Sequence, residues 1–296
     1  MNARNVMHNS VRSAAPVGQG AGRSSSLLAF TLIELLVVIT IIGIVAAISI
    51  PAIKNFQKAD ADAAATRQLL DDIARARQFA ISQRSTVHMV FVPAEFWNSA
   101  EYAALVGNPN YTFEKRVALT NLLARQMIGY NFISLRSVGD QPGQAIPQYL
   151  AEWRTLPEGI FIATNKFSPP PGDTIVIYDP YNPPLAGYPI LKTNFVHGFE
   201  SNSVPFPTAD SPIYFNLPSL TFNSTGQLEP NDQRDEEIIP LARGKAVASL
   251  DVNKRPLFAR PTMDENPTGN STNAFSLIVV DRLTGRAHVE HPTPSL

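Results

Sequence analysis

Glu34 is the carboxylate whose setting asks most of the chemistry. It stands inside a run of 24 residues, 30–53, of which 18 are apolar; the exceptions are Thr31, Glu34, Thr40, Gly43, Ser49 and Pro51. An ionised acid is costly at the centre of a bilayer and tolerated at its edge. Glu34 therefore reads either as a hydrated interfacial residue or as an acceptor for a cation supplied later.

The other reactive residue types form no constellation. His8, His88, His197, His288 and His291 are scattered, and none makes the i, i+4 pair with Glu that a zinc-hydrolase helix needs. His88 lies in an alternating stretch and is expected to be a partly exposed strand residue. Gly18, Gly20 and Gly22 follow no strand and do not make a phosphate loop. The acidic run Glu229, Asp232, Asp235, Glu236 and Glu237 lacks calcium-loop spacing and is broken by Arg234; a solvated loop is the expectation. Asn223-Ser224-Thr225 and Asn270-Ser271-Thr272 fit the glycosylation sequon, but turn chemistry is the better reading. Arg255, Arg260, Arg282 and Arg286 are the candidates for contacting nucleic-acid phosphates, too widely spread for a strong patch. These residues predict a protein that is not an enzyme, with no cofactor and no metal.

Composition narrows the partners. The 296 residues carry 24 Lys+Arg against 25 Asp+Glu, a net charge of -1, which excludes a polybasic mode for the whole chain. There is no cysteine, hence no disulfide, thiol catalysis or Cys-ligated zinc. The charge is uneven: Arg4, Arg12 and Arg23 give residues 1–29 a charge of +3 with no acid, leaving -4 for the rest.

A run of about 20 apolar residues suffices to span a bilayer as a helix. Residues 32–53 meet that length, and the preceding arginines place the N-terminus in the cytoplasm by the positive-inside rule. A single-pass inner-membrane protein with a periplasmic head is the expectation. An ordinary secretory signal fits less well, because the apolar run is long, is headed by an acid, and has no clear Ala-x-Ala site before Pro51.

The sequence Ala29-Phe30-Thr31-Leu32-Ile33-Glu34-Leu35-Leu36-Val37-Val38-Ile39 resembles the class III signal of type IV pilins and type II secretion pseudopilins. The resemblance implies cleavage between Ala29 and Phe30 by a prepilin peptidase and N-methylation of Phe30. It implies that Glu34, then fifth in the mature chain, pairs with the Phe30 amine of a neighbouring subunit and sets the axial register. Gly43 and Pro51 stand where the family weakens its helix, consistent with the cost of about 1 and about 3 kcal/mol of these residues in a helix. Ala29 departs from the family's usual glycine. Implied partners are the peptidase, an inner-membrane assembly platform, other pilin-like subunits and membrane lipid; nucleic acid is the weaker alternative, as in DNA-binding minor pilins. A single-span anchored binding protein, which would keep its leader, is the other rival.

The expected organisation is a basic leader over 1–29, a transmembrane or filament-core helix over 30–53, an amphipathic helix over 54–84 and a β-rich periplasmic head over 85–296. The expected fold class is α+β, a long N-terminal helix packed on an antiparallel sheet. Phe56, Ala59, Ala63, Thr66, Leu70, Ile73 and Ala80 are expected to face the head, with Asp62 and Asp72 on the other faces. Strands are expected over 85–92, 130–136, 153–155, 159–163 and 238–249, with strand–turn–strand units at 220–228 and 275–290. Residues 94–219 read as an insertion with a helix within 113–127. The 11 prolines in 169–218 argue for a surface loop that cannot be part of a central sheet. Leu156-Pro157-Glu158-Gly159-Ile160, Thr221-Phe222-Asn223-x-x-Gly226 and Thr284-Gly285-Arg286 are similar to elements of the GspH/FimT-type minor pseudopilin head.

Overall fold

The computed structural model describes residues 31–136, 145–167, 175–178, 191–194, 197–229, 235–273 and 276–290, the side chains of 48–60, 175–178, 191–194 and 272–273 excepted. Five α-helices are present among them: α1 (Leu32–Gln83), α2 (Ala100–Val106), α3 (Phe113–Leu123), α4 (Thr164–Phe167) and α5 (Asn270–Asn273). The strands are β1 (Val87–Phe91), β2 (Gly129–Ser134), β3 (Gln148–Tyr149), β4 (Arg154–Thr155), β5 (Ile160–Ile162), β6 (Ile175–Tyr178), β7 (Leu191–Asn194), β8 (Glu200–Pro205), β9 (Tyr214–Phe222), β10 (Glu236–Val247), β11 (Thr262–Glu265), β12 (Ser276–Asp281) and β13 (Ala287–Glu290). The chain divides into two compact units, Met1–Ala52 and Ile53–Leu296, and the division falls inside α1.

The first unit is described through one helical stretch. Every residue of 31–47 is exposed, including Leu32, Ile33, Leu35, Leu36 and Ile39. At 100° per residue, such a run leaves no polar face.

The second unit is built on antiparallel pairing alone. One sheet has the order β3-β2-β1-β9-β8, with β4 also on β2; another has β11-β10-β12-β13, with β5 also on β10; β6 and β7 form a separate hairpin. The alternation expected of 85–92 holds, since Val87, Met89 and Phe91 enter one core and Val90 and Val92 another. The first core is closed by Ala65, Leu69, Ile73, Ala76 and Ala80 of α1 and by Ile239, Leu241, Ile278 and Val280 of the second sheet. The other core is closed by Leu105 of α2 and by Leu119, Leu122 and Leu123 of α3. The insertion after Pro93 thus covers the face of the first sheet that α1 leaves open. With both faces covered, β1 and β2 are buried at every position.

Several expectations are corrected. Among the described residues, no helix is long and apolar enough to cross a membrane. The transmembrane assignment, and with it the single-pass inner-membrane location with its cytoplasmic N-terminus and periplasmic head, is not supported. The expected fold class, a long helix running from membrane to head on one sheet, is replaced by a mixed α and β chain. Its α1 is shared between two units, and its strands lie in two larger sheets and a hairpin.

The head-facing register of α1 also differs. Ala63 is exposed, whereas Asp62 and Asp72 are buried together with Ala65, Leu69, Ile73, Ala76 and Ala80. Phe56 and Ala59 lie outside the residues whose side chains are described. His88, expected to be partly exposed, is buried at the back of β1. Finally, Pro218 does lie in a central strand. The β1 ladder ends at the Val90–Ser219 pair, one residue short of it, so Pro218 faces a partner strand only on the β8 side.

Candidate assembly site

The N-terminus of α1 is closed by a reciprocal cap. The Thr31 hydroxyl accepts from the Glu34 amide (3.2 Å), while Glu34 Oε2 accepts from the Thr31 amide (2.9 Å) and hydroxyl (2.7 Å). This is the capping box, with Thr at the N-cap and Glu three residues later. The first helical bond, from the Leu35 amide to the Thr31 carbonyl, follows at 3.2 Å. The Thr31 amide first, and its hydroxyl second, hold the Glu34 carboxyl below the usual glutamate range. The residue is therefore anionic at a helix end whose dipole favours negative charge. Both bonds fall on Oε2, and no hydrogen bond reaches Oε1 among the described residues.

The sequence contained this signal as Thr31-x-x-Glu34. The apolar run around Glu34 masks this signal. Ala29 and Phe30, the expected cleavage and methylation positions, lie outside the described residues. Gly43 lies within α1, and a Cβ added there would meet nothing within 4 Å. Pro51 is also within α1, where its missing N–H removes one helical hydrogen bond.

The other end of α1 is fixed to the head through polar groups, among them Asp62 and Asp72, which were expected on the other faces. Asp72 Oδ2 accepts from the Tyr130 hydroxyl at 2.6 Å and lies 2.8 Å from Arg154 Nε. The Arg154 contact is an ion pair whose angle falls short of a hydrogen bond. Gln68 Nε2 donates to the same tyrosine oxygen at 2.7 Å and to the Thr155 carbonyl at 2.8 Å. Burial first, and the Asp72 carboxylate second, push the Tyr130 hydroxyl far above its ordinary range, so it stays a donor. Asp62 makes the same kind of anchor to the second sheet, with Arg243 at 3.1 Å and the Ser276 hydroxyl at 3.2 Å. Asp62 and Asp72 share the three-and-four spacing of Ala65, Leu69, Ala76 and Ala80, which was the available clue.

Three glycine turns line this half of α1. Gly159, at φ 99°, lies 3.7 Å from Ala61 by its virtual Cβ; a Cβ on Gly226 would strike Ile81, and one on Gly285 would strike the Gly226 carbonyl. The turns holding Gly226 and Gly285 thus touch each other against the last turns of α1, where Arg77 Nε donates to the Thr284 carbonyl at 2.8 Å. These turns belong to the elements 156–160, 221–226 and 284–286.

The remaining candidates are dispersed. Glu237 is buried and pairs with Lys166, whose amine also donates to the His197 carbonyl at 2.7 Å and sits 4.7 Å above the Phe199 ring. The expectation of a solvated acidic loop therefore fails for Glu237 and for Glu236, which is exposed but opens β10, and holds for Glu229 and Asp235; Asp232 lies outside the described residues. No group of three metal-capable side chains occurs among the described residues. His88 Nδ1 meets the Thr221 hydroxyl at 3.0 Å, and burial pushes its pKa down to about 4. Asn223 Oδ1 accepts from the Thr225 amide and hydroxyl, as a turn residue does. Arg282 and Arg286 lie beside the start of β10, where Glu236 pairs with Asp281, while Arg255 and Arg260 lie beyond its other end. The four arginines do not form one phosphate-binding patch. Against known proteins, the chain matches no family model, no curated sequence and no solved structure.

Proposed function

We propose that the chain is a prepilin-type filament subunit, nearer the minor pseudopilins, matured by a prepilin peptidase and assembled through its N-terminal helical segment. The observation that carries this reading is the stretch 32–45, apolar and exposed on every side and headed by an ionised, capped Glu34. A helix that is apolar all round is stable in water only when something covers it. Equivalent helices of other copies supply that cover without introducing a polar face. Cleavage between Ala29 and Phe30 retains Thr31, so the cap survives maturation, and the new Phe30 amine of a neighbour finds Glu34 Oε1 as its acceptor. Such a pair selects one axial register and adds little net stability.

Glu34→Gln tests the charge separately from the cap, because glutamine also serves at the third position of a capping box. On this reading, Glu34→Gln is processed normally but fails to sediment as filaments, as does Glu34→Ala. Wild-type assembly by Glu34→Gln would reduce Glu34 to a helix cap. Mass spectrometry of the mature chain is expected to give an N-methylated Phe30 terminus; an intact leader would overturn the processing step.

A further inference from the structure

β10 carries opposite charge at its two ends. Its 12 residues separate Glu236 from Val247 by roughly 36 Å at about 3.3 Å per residue. Beyond Val247 the connection to β11 forms a rigid tip. Asp251 Oδ1 accepts from the amides of Asn253 and Arg255, both at 2.8 Å, and Lys254 sits at φ 59°. The Asp251 amide donates to the Arg255 carbonyl, and the Leu257 amide to that of Ser249. This turn holds Val252 at 98% exposure, with Leu250, Leu257 and Phe258 also exposed. Lys254 and Arg255 are exposed beside it and have no ion-pair partner among the described residues. A tip already ordered before contact loses little entropy on binding.

Next to the start of β10 lies a groove of about 190 Å³ lined by Asn223, Gln227, Leu228, Glu229, Arg282 and Leu283. Glu229, Asp235 and Glu236 are exposed there without an ion-pair partner among the described residues. Arg282 also lines the groove and is outnumbered by these three acids. Because tip and groove sit at opposite ends of one strand, they cannot meet within a molecule.

We infer that the occupant of the groove is the tip of a second copy of this chain. Val252 enters beside Leu228 and Leu283, while Lys254 and Arg255 face Glu229, Asp235 and Glu236. The surfaces differ, so the contact is heterologous and propagates head to tail. This deepens the filament reading by giving the heads their own contact, independent of the 32–45 helix.

The chain has no cysteine, so single cysteines report without background. Full-length Val252→Cys and Leu283→Cys chains are mixed and oxidised. A disulfide-linked heterodimer is expected, well above the homodimer of either variant alone. Adding Lys254→Glu and Arg255→Glu to the Val252→Cys chain should lower the yield about tenfold, as two exposed ion pairs together predict. Glu229→Lys with Glu236→Lys on the Leu283→Cys chain should restore it. Predominant Val252→Cys homodimers, or no heterodimer, would overturn the head contact. Sedimentation in parallel keeps the readings apart: filaments without the heterodimer sink only this contact, and the heterodimer without filaments sinks only helix-driven assembly.

Discussion

Residues 32–45 and 61–83 belong to one helix and meet water in opposite ways. The first stretch is apolar on every side and exposed, with its polar chemistry gathered at the Thr31–Glu34 cap. The second presents an apolar face to a core and sinks two aspartates into it, each met by partners on a different sheet. Helix propensity is common to both, whereas satisfaction of surface is not. The head half buries its apolar face within the chain; the N-terminal half leaves its apolar side chains exposed.

The sharpest way to break the contrast is at Asp72. Asp72→Ala leaves the buried Tyr130 hydroxyl without its acceptor and Arg154 without its ion-pair partner, and losing one partner of such a pair costs about 3–5 kcal/mol. Arg154 is partly exposed, which favours the lower end of that range. Denaturant unfolding followed by Tyr and Trp fluorescence measures the loss. A change below about 0.5 kcal/mol, the usual effect of a surface substitution, would mean that the anchor is dispensable.

Leu69→Ala probes the apolar side of the same half and is expected to cost about 3 kcal/mol, within the range for a fully buried leucine. Leu36→Ala, in the exposed half, should leave head unfolding unchanged while reducing sedimentation. Equal destabilisation by the two substitutions would erase the distinction between the halves.

The parts that the sequence exposed follow from local pattern. Val87, Met89 and Phe91 alternate and do share a core, and the 275–290 hairpin is legible from its Thr284-Gly285 turn. What stayed hidden depends on neighbours distant in sequence. The burial of Asp62 requires Arg243 and Ser276, about 180 or more residues away along the chain. Pro218 is tolerated only because the β1 ladder stops at Ser219. The site at Glu34 is legible as a motif, but its cap is masked by an apolar run that suggests a bilayer.

His88 carries the pH dependence of the head half. Burial lowers its pKa to about 4 in the folded chain, below the unfolded value of about 6.5. Its contribution is therefore full above pH 6.5 and is lost as pH falls toward 4, because the unfolded state takes up the proton first. The loss amounts to roughly 3 kcal/mol at the most, at about 1.4 kcal/mol per unit. His88→Gln should flatten stability between pH 6.5 and 4; an unchanged acid slope would move its origin to other groups.

The smallest expected effect lies at the other end of α1 and isolates the cap from assembly. Thr31→Ala removes the hydroxyl that accepts from the Glu34 amide and donates to its carboxylate. Loss of a threonine N-cap costs about 1 kcal/mol of helix stability, which is roughly a fivefold rise in opening of the first turn. Hydrogen exchange at the Glu34 and Leu35 amides, which bond to the Thr31 hydroxyl and carbonyl, reads this opening directly, and head unfolding should not change. Because the exposed half has no core of its own to compensate, the fraying should be confined to that half. Protection equal to wild type would show that the helix start is held by something other than its cap, and would shift attention from Thr31 to whatever covers the apolar stretch.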